Sequence, residues 1–90
     1  MAVGFGGAVA AVRIVAIANA RSAPVQRVIL QSTKNGHAVD LTFGRRARAA
    51  FFLDSGHIVL VGLSPETAVQ RWRQALALHR EADDVLRHLL

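Results

Sequence analysis

Residues 44–48 read Gly-Arg-Arg-Ala-Arg, three guanidinium groups within four positions. A guanidinium keeps its charge at physiological pH and forks bidentately onto carboxylates, phosphates and the acceptor edges of bases. Burying one is costly unless it is paired, and after this run no carboxylate comes before Asp54. Arg45, Arg46 and Arg48 therefore either stand solvated at the entrance of a strand or meet an anionic partner. On a strand starting at residue 45, Arg46 and Arg48 share one face while Arg45 and Ala47 share the other. Gly44, just before them, lets a partner approach the backbone closely. Such paired forks suit two neighbouring phosphates or base edges in a groove. The bland alternative is an ion pair to Asp40 or Asp54 with the remaining arginines merely solvated, since exposed charge pairs contribute little. Arg13 is a further cation, set inside the apolar run Ala8–Ala18, where its head must reach solvent or a partner.

Other chemistries lack their residues. With no cysteine there is no disulfide framework, thiolate ligand or thiol nucleophile. His37, His57, His79 and His88 are scattered and form no tight ligand pair, so no metal site is expected; His57 reads as a turn residue with a satisfied ring. Neither a phosphate-cradling glycine loop running from strand to helix nor a Ser-His-Asp arrangement is present. Asp83 and Asp84 are adjacent, so on a helix they point about 100° apart and read as solvated face. The chain is expected to be no enzyme, with no cofactor and no small-molecule substrate.

Ten arginines and one lysine stand against six acids, a net charge of +5 that favours anionic partners. Ninety residues form one domain with a thin core, burying roughly 60% of the unfolded surface. A hydrophobic share of 52% points to further apolar surface covered between subunits. The apolar start ends in Ala18-Asn19-Ala20 and mimics a signal peptide, yet Arg13 sits in the middle of the stretch and no basic residue precedes it. A cytoplasmic protein without a membrane segment is the expectation.

The positioning elements follow from pattern. Residues 3–7 read as a glycine turn or bulge and residues 8–18 as a strand, with Val12, Ile14 and Ala16 on one face and Arg13, Val15 and Ile17 on the other. Ser22 caps a helix that carries Pro24 in its first turn and stops at Asn35-Gly36; Val25, Val28 and Ile29 form its buried stripe. Residues 37–43 read as a strand. Residues 46–53 and 57–63 read as a hairpin closed by Asp54-Ser55-Gly56. Phe51, Phe52 and Leu53 cannot share one face, which leaves one face of that strand for a neighbouring subunit. Ser64 caps a second helix with Pro65 at its first position and Glu66 at the positive end of its dipole; "HREADD" (79–84) is a possible joint in it. The fold class is α+β: a small, mainly antiparallel sheet with one helix after the first strand and a C-terminal helix. Residues 1–90 form a single domain, with 72–90 a C-terminal helical extension.

The segments "GFGGAVAAVRIVAI", "SAPVQRVI", "DLTFGRRARAAFFLDSGHIVL" and "PETAVQR" together resemble the RemA family of bacterial biofilm-matrix regulators over about residues 4–71. That resemblance implies a cytoplasmic, nucleoid-associated protein that binds double-stranded DNA and activates transcription. It implies a ring-like homo-oligomer with arginines repeated around the outside, so that many weak contacts act together, and binding that wraps or bends DNA. By position, the family's DNA-contacting arginines fall on Arg13, Arg45 and Arg46, within the set isolated by charge. Arg21 stands where the family usually has an acid, and residues 72–90 have no counterpart that can be mapped.

The rival reading is a protein-interaction module that docks a partner through Trp72, Leu76, Leu86, Leu89 and Leu90, with the arginines serving solubility. RNA readers usually present stacking aromatics, and here there is no Tyr and the Phe residues stand in apolar contexts. The basic residues are spread over several elements rather than one polar helical face, which argues against a membrane surface.

Overall fold

The computed structural model describes residues 1–89. In chain order it contains β1 (Ala2–Gly4), β2 (Gly7–Ala8), a 3-10 turn (Ala11–Arg13), β3 (Ile14–Asn19), α1 (Ala23–Lys34), β4 (Ala38–Asp40), β5 (Ala49–Leu53), β6 (Ile58–Val61) and α2 (Pro65–Leu89). β1 and β2 form a separate small hairpin, and the other strands make one sheet in the order β3-β5-β6-β4. β3, β5 and β6 run antiparallel, whereas β4 is parallel to β6, so the α+β class holds with a mixed sheet.

Alternation along the two central strands divides the interior. Ala49 and Phe51 of β5, with Val59 and Val61 of β6, face a core shared with Val3, Val9, Ile14 and Ala68, against which Trp72 packs. Ala50 and Ile58 face the opposite side, where Val25 and Ile29 of α1 cover them together with Phe52 and Leu60. The second face of the hairpin is thus covered by α1 of the same chain, and the pleat alone does not require a neighbouring subunit. Val28, expected in the buried stripe of α1, is exposed instead.

Two elements differ from the expectation. Residues 8–18 are not one strand: the first nine residues fold back on themselves, with the Val9 amide donating to the Met1 carbonyl at 2.9 Å. The 3-10 turn then intervenes, so pairing with β5 starts only at Ile14 opposite Leu53. A bulge between Ile14 and Ala16 breaks strict alternation, and both Ile14 and Ile17 reach the α2-side core. Arg13 therefore leaves from a turn and not from a strand face. The strand expected at 37–43 is confined to Ala38–Asp40 because the chain turns at Thr42.

The helices follow their caps. The Ser22 hydroxyl accepts from the Val25 amide at 3.4 Å, and the Ser64 hydroxyl accepts from the Thr67 amide at 3.2 Å. α2 runs unbroken for 25 residues through the expected joint, where His79 and Asp83, one turn apart, lie 3.6 Å from each other. Its first half is anchored: Ala68 is fully buried and the Trp72 indole donates to the Ala11 carbonyl at 3.0 Å. Residues 77–89 are all exposed, so the helix end projects beyond the body. Leu90 lies outside the described residues.

Candidate nucleic-acid interface

The arginine segment is fixed at both ends. At its start, Thr42 is buried and satisfied by Asp40, whose carboxylate accepts from the Thr42 hydroxyl at 2.6 Å and from its amide at 2.8 Å. These bonds, the hydroxyl's first, hold the Asp40 carboxyl below its usual pKa, against a smaller opposing effect of burial. The chain then reverses, and the Arg45 amide donates to the Thr42 carbonyl at 3.1 Å. At its end, the Arg48 amide donates to the Val61 carbonyl at 2.9 Å, and the Ala20 amide donates to the Arg48 carbonyl at 3.1 Å. Arg48 is thereby in the sheet, although regular β5 begins only at Ala49.

The strand alternation expected from residue 45 does not hold before Arg48, because the turn at Thr42–Arg45 feeds the chain in irregularly. Arg45 extends over the Phe5 ring, its guanidinium carbon 3.9 Å from the ring centroid. Arg46 goes to the α1 side, where it and Ala47 line an open cleft of about 400 Å3 with Ala20, Arg21, Ile29 and Leu60. Arg45, Arg46 and Arg48 are all exposed, and among the described residues none forms a salt bridge.

Arg13 stands apart. Its guanidinium donates to the Asp54 carboxylate at 3.2 Å, both side chains being substantially exposed, and its carbonyl accepts from the Asp54 amide at 2.9 Å. It therefore lies at the hairpin-turn end of β5, whereas Arg48 lies at the opposite end. Five residues of extended chain separate the two ends, about 17 Å at ~3.4 Å per residue. Within one chain Arg45, Arg46 and Arg48 lie on one short segment at the same end of β5, Arg45 over the N-terminal hairpin and Arg46 towards α1, and Arg13 does not join them.

Two contributors escaped the sequence reading as parts of the site. Arg21 brings a second guanidinium to the cleft beside Arg46; the only signal for it in the sequence was its excess positive charge. Phe5 supports Arg45 from the N-terminal hairpin, forty residues away in sequence, and nothing in local pattern announced that contact. No helix among the described residues is long and apolar enough to cross a membrane.

Residues 1–72 match the RemA-like family, described as extracellular matrix regulatory protein A-like. A relative from a Synechococcus species, named "Putative regulatory protein", is 45% identical over 73 residues, which cover 81% of this chain and 82% of the relative. A relative of the same name from Acetivibrio thermocellus is 44% identical over 82 residues, covering 91% of this chain and 88% of its own.

Proposed function

The chain belongs to the RemA-like family, whose members' names mark regulatory proteins rather than enzymes, and from that premise we infer that it is a DNA-binding transcriptional regulator. In this reading Arg45, Arg46 and Arg48 contact the phosphate backbone and groove edges of a duplex, and Arg13 adds a contact at the far end of β5. The observation that carries it is the run of three exposed guanidinium groups outside any salt bridge on Arg45–Arg48, with Arg21 beside Arg46, on a segment held by a buried threonine and two sheet hydrogen bonds. A rigid base with free cations is what phosphate recognition uses. Activation of transcription and action on DNA in the bacterial cytoplasm belong to the same proposal.

A ring-like homo-oligomer completes it. β3 and β4 are the two edges of the sheet, so each chain presents two different edges, the requirement for head-to-tail association that closes on itself. Val15 on β3 and Val39 on β4 are 67% and 42% exposed, apolar surface at both edges. Repetition around such a ring brings Arg13 of one copy and Arg45–Arg48 of others onto one duplex, and multiplies a weak contact.

The test is fluorescence anisotropy of a labelled duplex over a range of salt, with wild type beside Arg45→Ala/Arg46→Ala. The expected result is steeply salt-dependent binding by wild type, with a slope shallower by about 2 per chain in the double variant. Absence of binding at low salt would sink the DNA reading. The second reading, docking of a partner protein through α2, is favoured by one observation: Leu78, Val85, Leu86 and Leu89 on the projecting end are each more than half exposed.

A further inference from the structure

Among the described residues two other than glycine have positive φ, and both are phenylalanines: Phe5 at 53° and Phe43 at 54°. Each precedes a glycine that is also at positive φ, Gly6 at 85° and Gly44 at 82°. The first pair joins β1 to β2, where Gly4 faces Gly7; the second spans the Thr42–Arg45 hydrogen bond. Two consecutive positive φ values between paired residues are the signature of a type I′ turn. That turn prefers Asn or Asp followed by Gly, and a bulky side chain in the left-handed region is unfavourable. The same unfavourable choice thus occurs twice, in turns that touch each other.

The contact is mutual. The Arg45 guanidinium lies on the Phe5 ring, and the Phe43 ring lies against Gly7, where a β-carbon would come within 3.2 Å of it. Both rings nevertheless remain more than half exposed, Phe5 at 57% and Phe43 at 55%. Two exposed aromatic rings on strained backbone are therefore carried by touching turns, next to an unpaired guanidinium. Strain retained in this way marks functional positions more often than structural ones. An apolar wedge flanked by an arginine is the arrangement with which proteins enter the DNA minor groove, partly unstacking a base step. The neighbouring charge selects DNA over an apolar protein partner, because Arg45 would be desolvated without a counter-ion against such a partner.

We propose that the paired turns at Phe5-Gly6 and Phe43-Gly44 form an aromatic wedge that enters the minor groove beside Arg45 and kinks the bound duplex. This rests on the DNA-binding reading and adds to it a residue pair and a mechanical consequence. Arg45, held over Phe5, is oriented before binding and takes the flanking phosphate or groove edge while the rings press on the base step.

Phe5→Asn and Phe43→Asn test it, singly and together, because Asn-Gly suits the turn and removes the ring. The full-length proteins are compared by thermal unfolding, light scattering, anisotropy on a short duplex, and energy transfer between dyes on the duplex ends. The expected result is an unchanged or raised Tm, an unchanged assembly, and loss of the end-to-end transfer change, with affinity reduced less than by Arg45→Ala/Arg46→Ala. If wild type binds and the Asn variants bend the duplex as wild type does, the wedge is wrong while DNA binding stands. A fall in Tm or a loss of assembly in the variants would assign the rings to fold or subunit contact and overturn the wedge. No binding by wild type would remove the DNA reading itself.

Discussion

Asp40 is the residue on which the arginine segment hangs. Its pKa is lowered in the folded chain, so its contribution to stability is present above the ordinary carboxylate pKa and is lost as pH falls through the lowered value. Urea unfolding between pH 5 and pH 2 is expected to show that decline, and Asp40→Asn to flatten it. The same substitution weakens the Thr42 turn, so DNA affinity should fall although no cation has been removed. Asp54 behaves in the opposite sense. Its ion pair with Arg13 is exposed and worth about 0–1 kcal/mol, so Asp54→Asn should change stability by under about 1 kcal/mol. By freeing Arg13 it should raise affinity for a duplex at low salt, which anisotropy would register.

α2 behaves as two segments in one helix. Trp72 closes the α2-side core and satisfies the Ala11 carbonyl, so Trp72→Ala is expected to cost about 3 kcal/mol, measurable by denaturant titration. Residues 77–89 are all exposed, and Ala75, Leu78, Ala82, Val85 and Leu89 recur at alternate spacings of three and four. Replacing Leu78, Val85 and Leu89 together by Gln should leave the unfolding midpoint of the body almost unchanged. A change in mass by light scattering in that variant would place the projecting segment in a subunit contact. An unchanged mass would leave it available for another protein. Unbroken helix through residues 79–84 follows from Arg80, Glu81 and Ala82, which are good helix formers and outweigh the neighbouring aspartates.

The molecule as a unit is a thin body: one sheet between α1 on one side and α2 with the N-terminal hairpin on the other, elongated to 46 Å by the projecting helix. Its net charge of +5 is carried mostly by arginines on several elements, so its attraction to any polyanion is long-ranged and screened by salt. If the sheet edges join copies into a ring, affinity for a duplex long enough to meet several copies should exceed that for a short duplex by more than the number of sites explains. Titrations on two duplex lengths at one salt concentration would show it, and equal affinity per site would count against the ring.

Much of this was readable from residue order, because the deciding signals are local. The Ser22 and Ser64 caps, the Asp54-Ser55-Gly56 turn and the alternation of Phe51 and Phe52 each depend on neighbours within a few positions. The family match likewise rests on contiguous segments, and charge alone singled out Arg45, Arg46 and Arg48 before any geometry. What the tertiary structure decided are contacts between distant segments. The fold-back of residues 1–9 ends the apparent strand at 8–18, and α1 rather than another chain covers the second face of β5. The Arg13–Asp54 pair spans 41 residues, and the stacking of Arg45 on Phe5 joins two turns that look like ordinary glycine corners. Periodicity cannot reveal these, since it encodes which face a residue takes and not which distant segment will lie against it.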